Sequence, residues 1–283
     1  MGTSSPFGGA GPASPLIPPW LDDDTAPDPP SVEPDQDTPE TPQGPPGPPP
    51  PSPEPEPDRY RVARSNFSRF ASSGGRDRQA LGRALGGYVR TAAGGSRTAA
   101  ARMAPSTRAA GRLASFFSST RTEGAIAALR RFDLDALAGR PVVEVLAALT
   151  DFICPEGGNL DDSIARDAFI ETLVELADGE PIEFEALTAD QMVVVLESFV
   201  SRSIVDRIVN DIGLRAIELP ADILAVERIQ QQLTDFVRGA VGDALTRTGV
   251  SGALDGGDVD RLMQQVYVTA FDLLEVMADG AAQ

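Results

Sequence analysis

The sequence contains no histidine and no lysine; all 24 basic side chains are arginine, and Cys154 is its single thiol. Without imidazole, the Ser-His-Asp and Cys-His designs for nucleophilic catalysis have no general base. Without lysine, Schiff-base chemistry and a Walker-type phosphate lysine are excluded as well. One thiol permits no intrachain disulfide and, with no histidine beside it, leaves a zinc site short of ligands. Long apolar runs are missing too: stretches such as residues 193–196 fall far short of the roughly 20 residues a membrane span requires. Residues 1–30 carry neither a basic n-region nor an apolar h-region, so no targeting segment is expected. These absences, with a lone cysteine, point to a soluble cytoplasmic protein without a membrane partner. No stretch alternates apolar and polar residues in the manner of a strand, so no sheet is expected.

What the sequence does hold is distributed in blocks. Against its 24 bases stand 42 acids, a net charge of −18 over 283 residues. Residues 1–58 hold 11 acids and no base; residues 59–131 hold 15 arginines against Asp77 and Glu123; residues 132–283 hold 29 acids against 9 arginines. The three block charges are therefore −11, +13 and −20. Twenty of the 25 prolines precede residue 58. Such a composition buries too little apolar surface to offset chain entropy, so a disordered Pro-rich N-terminal arm is expected ahead of a folded body.

Four segments follow. Residues 1–21 carry an apolar cluster, Pro15-Leu16-Ile17-Pro18-Pro19-Trp20-Leu21, that includes the sole tryptophan and reads as a docking and modification arm. Residues 22–58 read as a stiff acidic spacer with polyproline II character. Residues 59–131 read as a basic, loosely helical subdomain, with helix expected at 79–85, 106–117 and 122–131 and the pairs Gly74-Gly75, Gly86-Gly87 and Gly94-Gly95 acting as stops. Its arginines are interleaved with Phe67, Phe70, Tyr88, Phe116 and Phe117, a mixture suited to a phosphate backbone with some base stacking. The competing reading pairs this positive block with the acidic one that follows it.

Residues 132–283 show amphipathic helical periodicity, so the fold class is all-α with a C-terminal helical bundle. Helices are expected over 142–153 after Pro141, from a cap at Asp161 or Asp162 to Leu176, from a Thr188/Gln191 capping box towards Gly213, from Pro220 through Leu224 and Val237, and from Asp258 through Leu274. The acid clusters Asp161-Asp162 and Asp255, Asp258, Asp260 read as helix caps rather than metal ligands, and Glu180, Glu183 and Glu185 as solvated. Cys154 has no histidine partner and no helix N-terminus behind it, so it reads as a half-buried structural thiol. Neither a catalytic residue nor a cofactor or metal site is expected.

The sharpest chemical feature is the start of the chain. Removal of Met1 leaves Gly2 with the one primary amine of a lysine-free protein. Its pKa of about 7.7 to 8.0, against about 10.4 for lysine, leaves a neutral, nucleophilic fraction at physiological pH. The myristoylation pattern wants Ser or Thr where Pro6 stands.

The opening Met1-Gly2-Thr3-Ser4-Ser5 with Gly8-Gly9 and Pro15-Leu16-Ile17-Pro18-Pro19-Trp20 resembles the B component of Qat-type anti-phage defence systems, the QatB family. Arg83-Ala84-Leu85-Gly86-Gly87-Tyr88-Val89-Arg90 and Cys154-Pro155-Glu156-Gly157-Gly158 look like parts of the same pattern. The resemblance implies three operon partners: a P-loop ATPase, a QueC-like ATP-dependent ligase and a TatD-like nuclease. It implies further a non-enzymatic role in which Gly2 receives a deazaguanine-type group and Thr3, Ser4, Pro15, Leu16, Ile17 and Trp20 dock the arm on the ligase. The alternative is a nucleic-acid adaptor that binds through residues 59–131 and recruits the nuclease or the ATPase.

Overall fold

Helix dominates because the apolar residues recur at three- and four-residue steps, which only a helix gathers onto one face. The computed structural model describes residues 59–213, 217 and 219–280, the last four as backbone. The expected arm and spacer, residues 1–58, lie outside the described residues. The described residues form α1 (Arg61–Ser72), α2 (Arg78–Gly87), α3 (Ser96–Arg102), α4 (Ala104–Glu123), α5 (Ala125–Arg130), α6 (Val142–Ala148), α7 (Thr150–Ile153), α8 (Leu160–Asp178), α9 (Ala189–Ile212), α10 (Ile223–Thr248), α11 (Val250–Ala253) and α12 (Val259–Gly280). The class is all-α, and the one strand-like contact among the described residues is an isolated bridge between Pro141 and Glu183. No helix among them is long and apolar enough to cross a membrane.

The long C-terminal helix α12 packs against α2, α3, α4 and α10, while α9 packs against α4, α8 and α10. One continuous apolar core results. It takes Phe70, Leu85 and Phe117 from the arginine-rich stretch together with Phe199, Tyr267 and Phe271 from the acidic one, all fully buried. The described residues form a single compact unit. Aromatic rings join the two stretches directly: Phe116 stacks on Phe184 at 5.4 Å and meets Phe132 edge-on at 5.9 Å, and Phe132 lies 4.5 Å from Phe152. Ion pairs cross the same boundary, Arg121 to Asp255 at 2.7 Å and Arg90 to Glu275 at 3.2 Å. Being exposed, each contributes at most about 1 kcal/mol, so burial and not charge holds the halves together.

Several boundaries differ from those the sequence suggests. The Gly86-Gly87 pair does not stop α2; the helix runs through it into a π-helical turn, Tyr88–Ala92. The reason is a close approach, since a Cβ on Gly87 would sit 2.9 Å from Val62 of α1. Gly124, at φ +90°, breaks the stretch read as a helix over 122–131 into the ends of α4 and α5. Leu149 interrupts the helix expected over 142–153. Asn159, not Asp161 or Asp162, caps α8, its side chain accepting from the Asp162 N–H at 2.9 Å. Asp222 in place of Pro220 caps α10, and Leu224 is 66% exposed where the apolar stripe had placed it inward. The Thr188/Gln191 capping box forms as read, with both reciprocal bonds present, and Gly74-Gly75 and Gly94-Gly95 do end helices at positive φ.

Candidate functional site

The residues expected to carry the chemistry, Gly2 with Thr3, Ser4, Pro15, Leu16, Ile17 and Trp20, lie outside the described residues. Two motif segments lie within them. In the first, Ala84, Leu85, Gly86, Tyr88 and Val89 are buried, and the Tyr88 hydroxyl donates to Asp211 at 2.9 Å near the end of α9. Burial first, then the neighbouring Asp211 carboxylate, hold the Tyr88 phenol protonated far above its ordinary range. Arg207 bridges Asp211 and Asp161, and Arg64 donates to the Ile212 carbonyl at 2.9 Å. The segment is therefore a clamp that fixes the C-terminal end of α9, whose last carbonyls lack helical donors.

The second segment, Cys154-Pro155-Glu156-Gly157-Gly158, is the tight connection from α7 to α8. Two guanidinium groups pin it: Arg112 donates to the Ile153 carbonyl at 3.2 Å and Arg166 to the Cys154 carbonyl at 2.7 Å. A Cβ at Gly157 would stand 1.9 Å from an Asp162 oxygen and 2.4 Å from the Asp162 Cβ, so no other residue fits without moving α8. The Cys154 thiol is buried, contacts the Ala165 carbonyl at 3.5 Å, and is pushed up to about 12 by burial. It is a structural thiol, more deeply placed than the half-burial its position in sequence suggested. Beside it opens a cavity of about 210 Å³ whose polar lining is Arg108, Arg112, Glu156 and Asp162.

Perturbed carboxylates gather instead on α8 and α9. Burial alone would raise Glu175, but hydrogen bonds from Ser198, Arg202 and Arg238 overcome it and hold the group at about 2. An apolar cavity of about 320 Å³, lined in part by Leu176, Ile182 and Val194, adjoins this network. Asp206 goes the other way: burial, with Glu171 and Asp167 nearby, raises it to about 7, and its buried Oδ2 has no hydrogen-bond partner among the described residues. Asp206 lines neither of these cavities. Among the described residues no three metal-ligating side chains come together.

The Glu175 network gives a pH-dependent prediction. A carboxylate held below its ordinary 4.5 stabilises the fold fully above that pH, and the contribution disappears as pH falls towards 2. Glu175→Gln is expected to lower the unfolding free energy by about 1–2 kcal/mol at pH 7, the figure being reduced for the partial exposure of the side chain. Urea titrations should show this deficit shrinking below pH 4.5. A deficit as large at pH 3 as at pH 7 would exclude the ion-pair origin.

The rings interleaved with arginine are not stacking platforms. Phe67, Phe70, Tyr88, Phe116 and Phe117 are all at most 4% exposed, because burying an aromatic ring gains more than leaving it at the surface for an absent ligand. Among the clustered carboxylates, Asp255 pairs with Arg121 and Asp258 accepts from the Arg261 N–H at 3.2 Å, and Glu180, Glu183 and Glu185 face water.

A family model, described as that of the Qat anti-phage system associated protein QatB, matches residues 94–274. That span runs from just before α3 into α12 and includes the Cys154–Gly158 connection, while the Arg83–Arg90 segment and the arm precede it. No curated protein and no solved structure matches the chain.

Proposed function

Because this chain belongs to the QatB family and so is a component of a Qat anti-phage system whose other proteins are its partners, we propose that it is that system's protein substrate and scaffold, not one of its enzymes. The observation that carries this reading is the absence of lysine from all 283 residues, which makes the Gly2 amine the sole primary amine once Met1 is removed. A QueC-like ligase activates a deazaguanine carboxylate with ATP, giving an acyl adenylate and pyrophosphate. The neutral Gly2 nitrogen attacks the acyl carbon, a C–N bond forms, the bond to AMP breaks, and the nitrogen releases a proton. An amine whose pKa is about 7.7 to 8.0 supplies the neutral form without a general base of its own. Thr3, Ser4, Pro15, Leu16, Ile17 and Trp20 dock the arm on the ligase, and the helical body offers its surface to the P-loop ATPase and the TatD-like nuclease. Tyr88 in the clamp on α9, Cys154 in the α7–α8 connection and Glu175 in its arginine network are committed to holding the fold, which supports a passive role for the body.

Mass spectrometry of the N-terminal peptide tests the proposal. Protein made with the complete operon is expected to carry one deazaguanine-type adduct on Gly2, and protein made alone to carry none. An unmodified Gly2 beside an active ligase would overturn it.

A further inference from the structure

Two open cavities of about 440 and 520 Å³ lie side by side across α12 and share Gln264 and Val268 as a common wall. One is bounded by α3 and the start of α4, where it is lined by Thr107 and Arg108; the other is bounded by the end of α10, where it is lined by Arg247 and Thr248, and by Arg261 of α12. Neither lining contains a carboxylate, in a chain where acids outnumber bases 42 to 24. Arg121, Arg140, Arg166, Arg202, Arg207 and Arg238 each hold an acid within ion-pair distance, whereas exposed arginines of the first helices such as Arg61, Arg76 and Arg97 hold none among the described residues and line neither cavity. Arg108, Arg247 and Arg261 are exposed and hold no acid within ion-pair distance among the described residues, although Arg108 also lines the cavity beside Cys154 together with Glu156 and Asp162. Asp258, the acid one turn before Arg261, spends a carboxylate oxygen on that residue's backbone N–H.

From this we infer that the trough over α12 binds the phosphodiester backbone of nucleic acid. Three guanidinium groups without an acid partner supply the charge, and the hydroxyls and amides that line the same two cavities supply neutral donors. No aromatic side chain lines either cavity, so binding reads phosphate and not base. In a chain of net charge −18, attraction that rests on these few cations depends strongly on salt. This site differs from the arginine-rich stretch singled out in the sequence, because two of its three cations come from the acidic bundle. It stands apart from the fate of Gly2.

The test is fluorescence anisotropy of the full chain with a labelled single-stranded oligonucleotide, and with the duplex of the same sequence, over a range of salt. Three phosphate contacts predict a slope of log K against log salt of about −2 for the single strand. The double variant Arg247→Gln/Arg261→Gln should bring the slope to about −0.7 and weaken binding at 0.1 M salt by about 25-fold. Arg140→Gln, which breaks an exposed ion pair with Glu144, should change neither. Both altered guanidiniums are exposed, so melting curves of the double variant should superimpose on those of the parent. Preference for the strand or the duplex identifies the form bound. Absence of salt-dependent binding, an unchanged slope in the double variant, or equally tight binding of poly-glutamate would each overturn the proposal.

Discussion

Gly2→Pro abolishes protection against phage, whereas Gly2→Ala preserves it: this is the expected outcome if the terminal nitrogen is the acceptor of the modification. Both residues are small enough for Met1 to be removed, so both variants expose residue 2. Alanine leaves a primary amine of nearly unchanged basicity, and proline leaves a secondary nitrogen enclosed in a ring, crowded exactly where an adenylate in a deep pocket must be approached. The core of the packed body is drawn from residues between Ala63 and Leu274, so thermal unfolding of both variants should match the parent. Plating efficiency with the complete operon is the measurement. Full protection by Gly2→Pro would remove the amine from the mechanism, whatever becomes of the scaffold.

The second large effect concerns the join between the arginine-rich and acidic stretches. Phe116→Ala should destabilise the body by about 3–5 kcal/mol, the usual range for deleting a buried ring. The ring lost is 3% exposed, stacks on Phe184 at 5.4 Å and abuts Phe132 at 5.9 Å, so its removal leaves a cavity between α4 and the 132–186 region that rigid helices on both sides cannot collapse to fill. Because these helices share one core, unfolding should remain a single transition displaced to lower denaturant with an unchanged slope. Two separated transitions in the variant would show that the stretches fold independently. A role for Phe116 in stacking on nucleic acid would instead predict lost binding at unaltered stability.

How much of this was legible in the sequence depends on the range of the interaction. The capping box at Thr188 and Gln191 and the apolar stripe of α12 are local patterns, and both form as the sequence suggests. Other differences arise where a distant partner decides the outcome. Gly86-Gly87 has the composition of a stop, yet the approach of Val62 from α1 turns the missing side chain into a packing contact and the helix continues. Phe67 and Tyr88 have the spacing of a mixed basic and aromatic surface, but the helices that cover them come from elsewhere in the chain. Choice among adjacent cap residues, Asn159 against Asp161 and Asp162, turned on a backbone angle that composition does not encode. The trough over α12 is not legible in the sequence for the same reason, since Arg108, Arg247 and Arg261 come to line its two adjoining cavities only when α4, α10 and α12 are assembled.

The buried position of Cys154 gives the protein a built-in gauge of its own breathing. A sulfhydryl reagent in solution finds no other target, and at neutral pH the buried group offers it almost no thiolate. Reaction must await the moment when the turn between α7 and α8 lifts away, so the labelling rate clocks the opening of that one joint. Contact with a partner on this face would register as a slower clock, without any tag having been added.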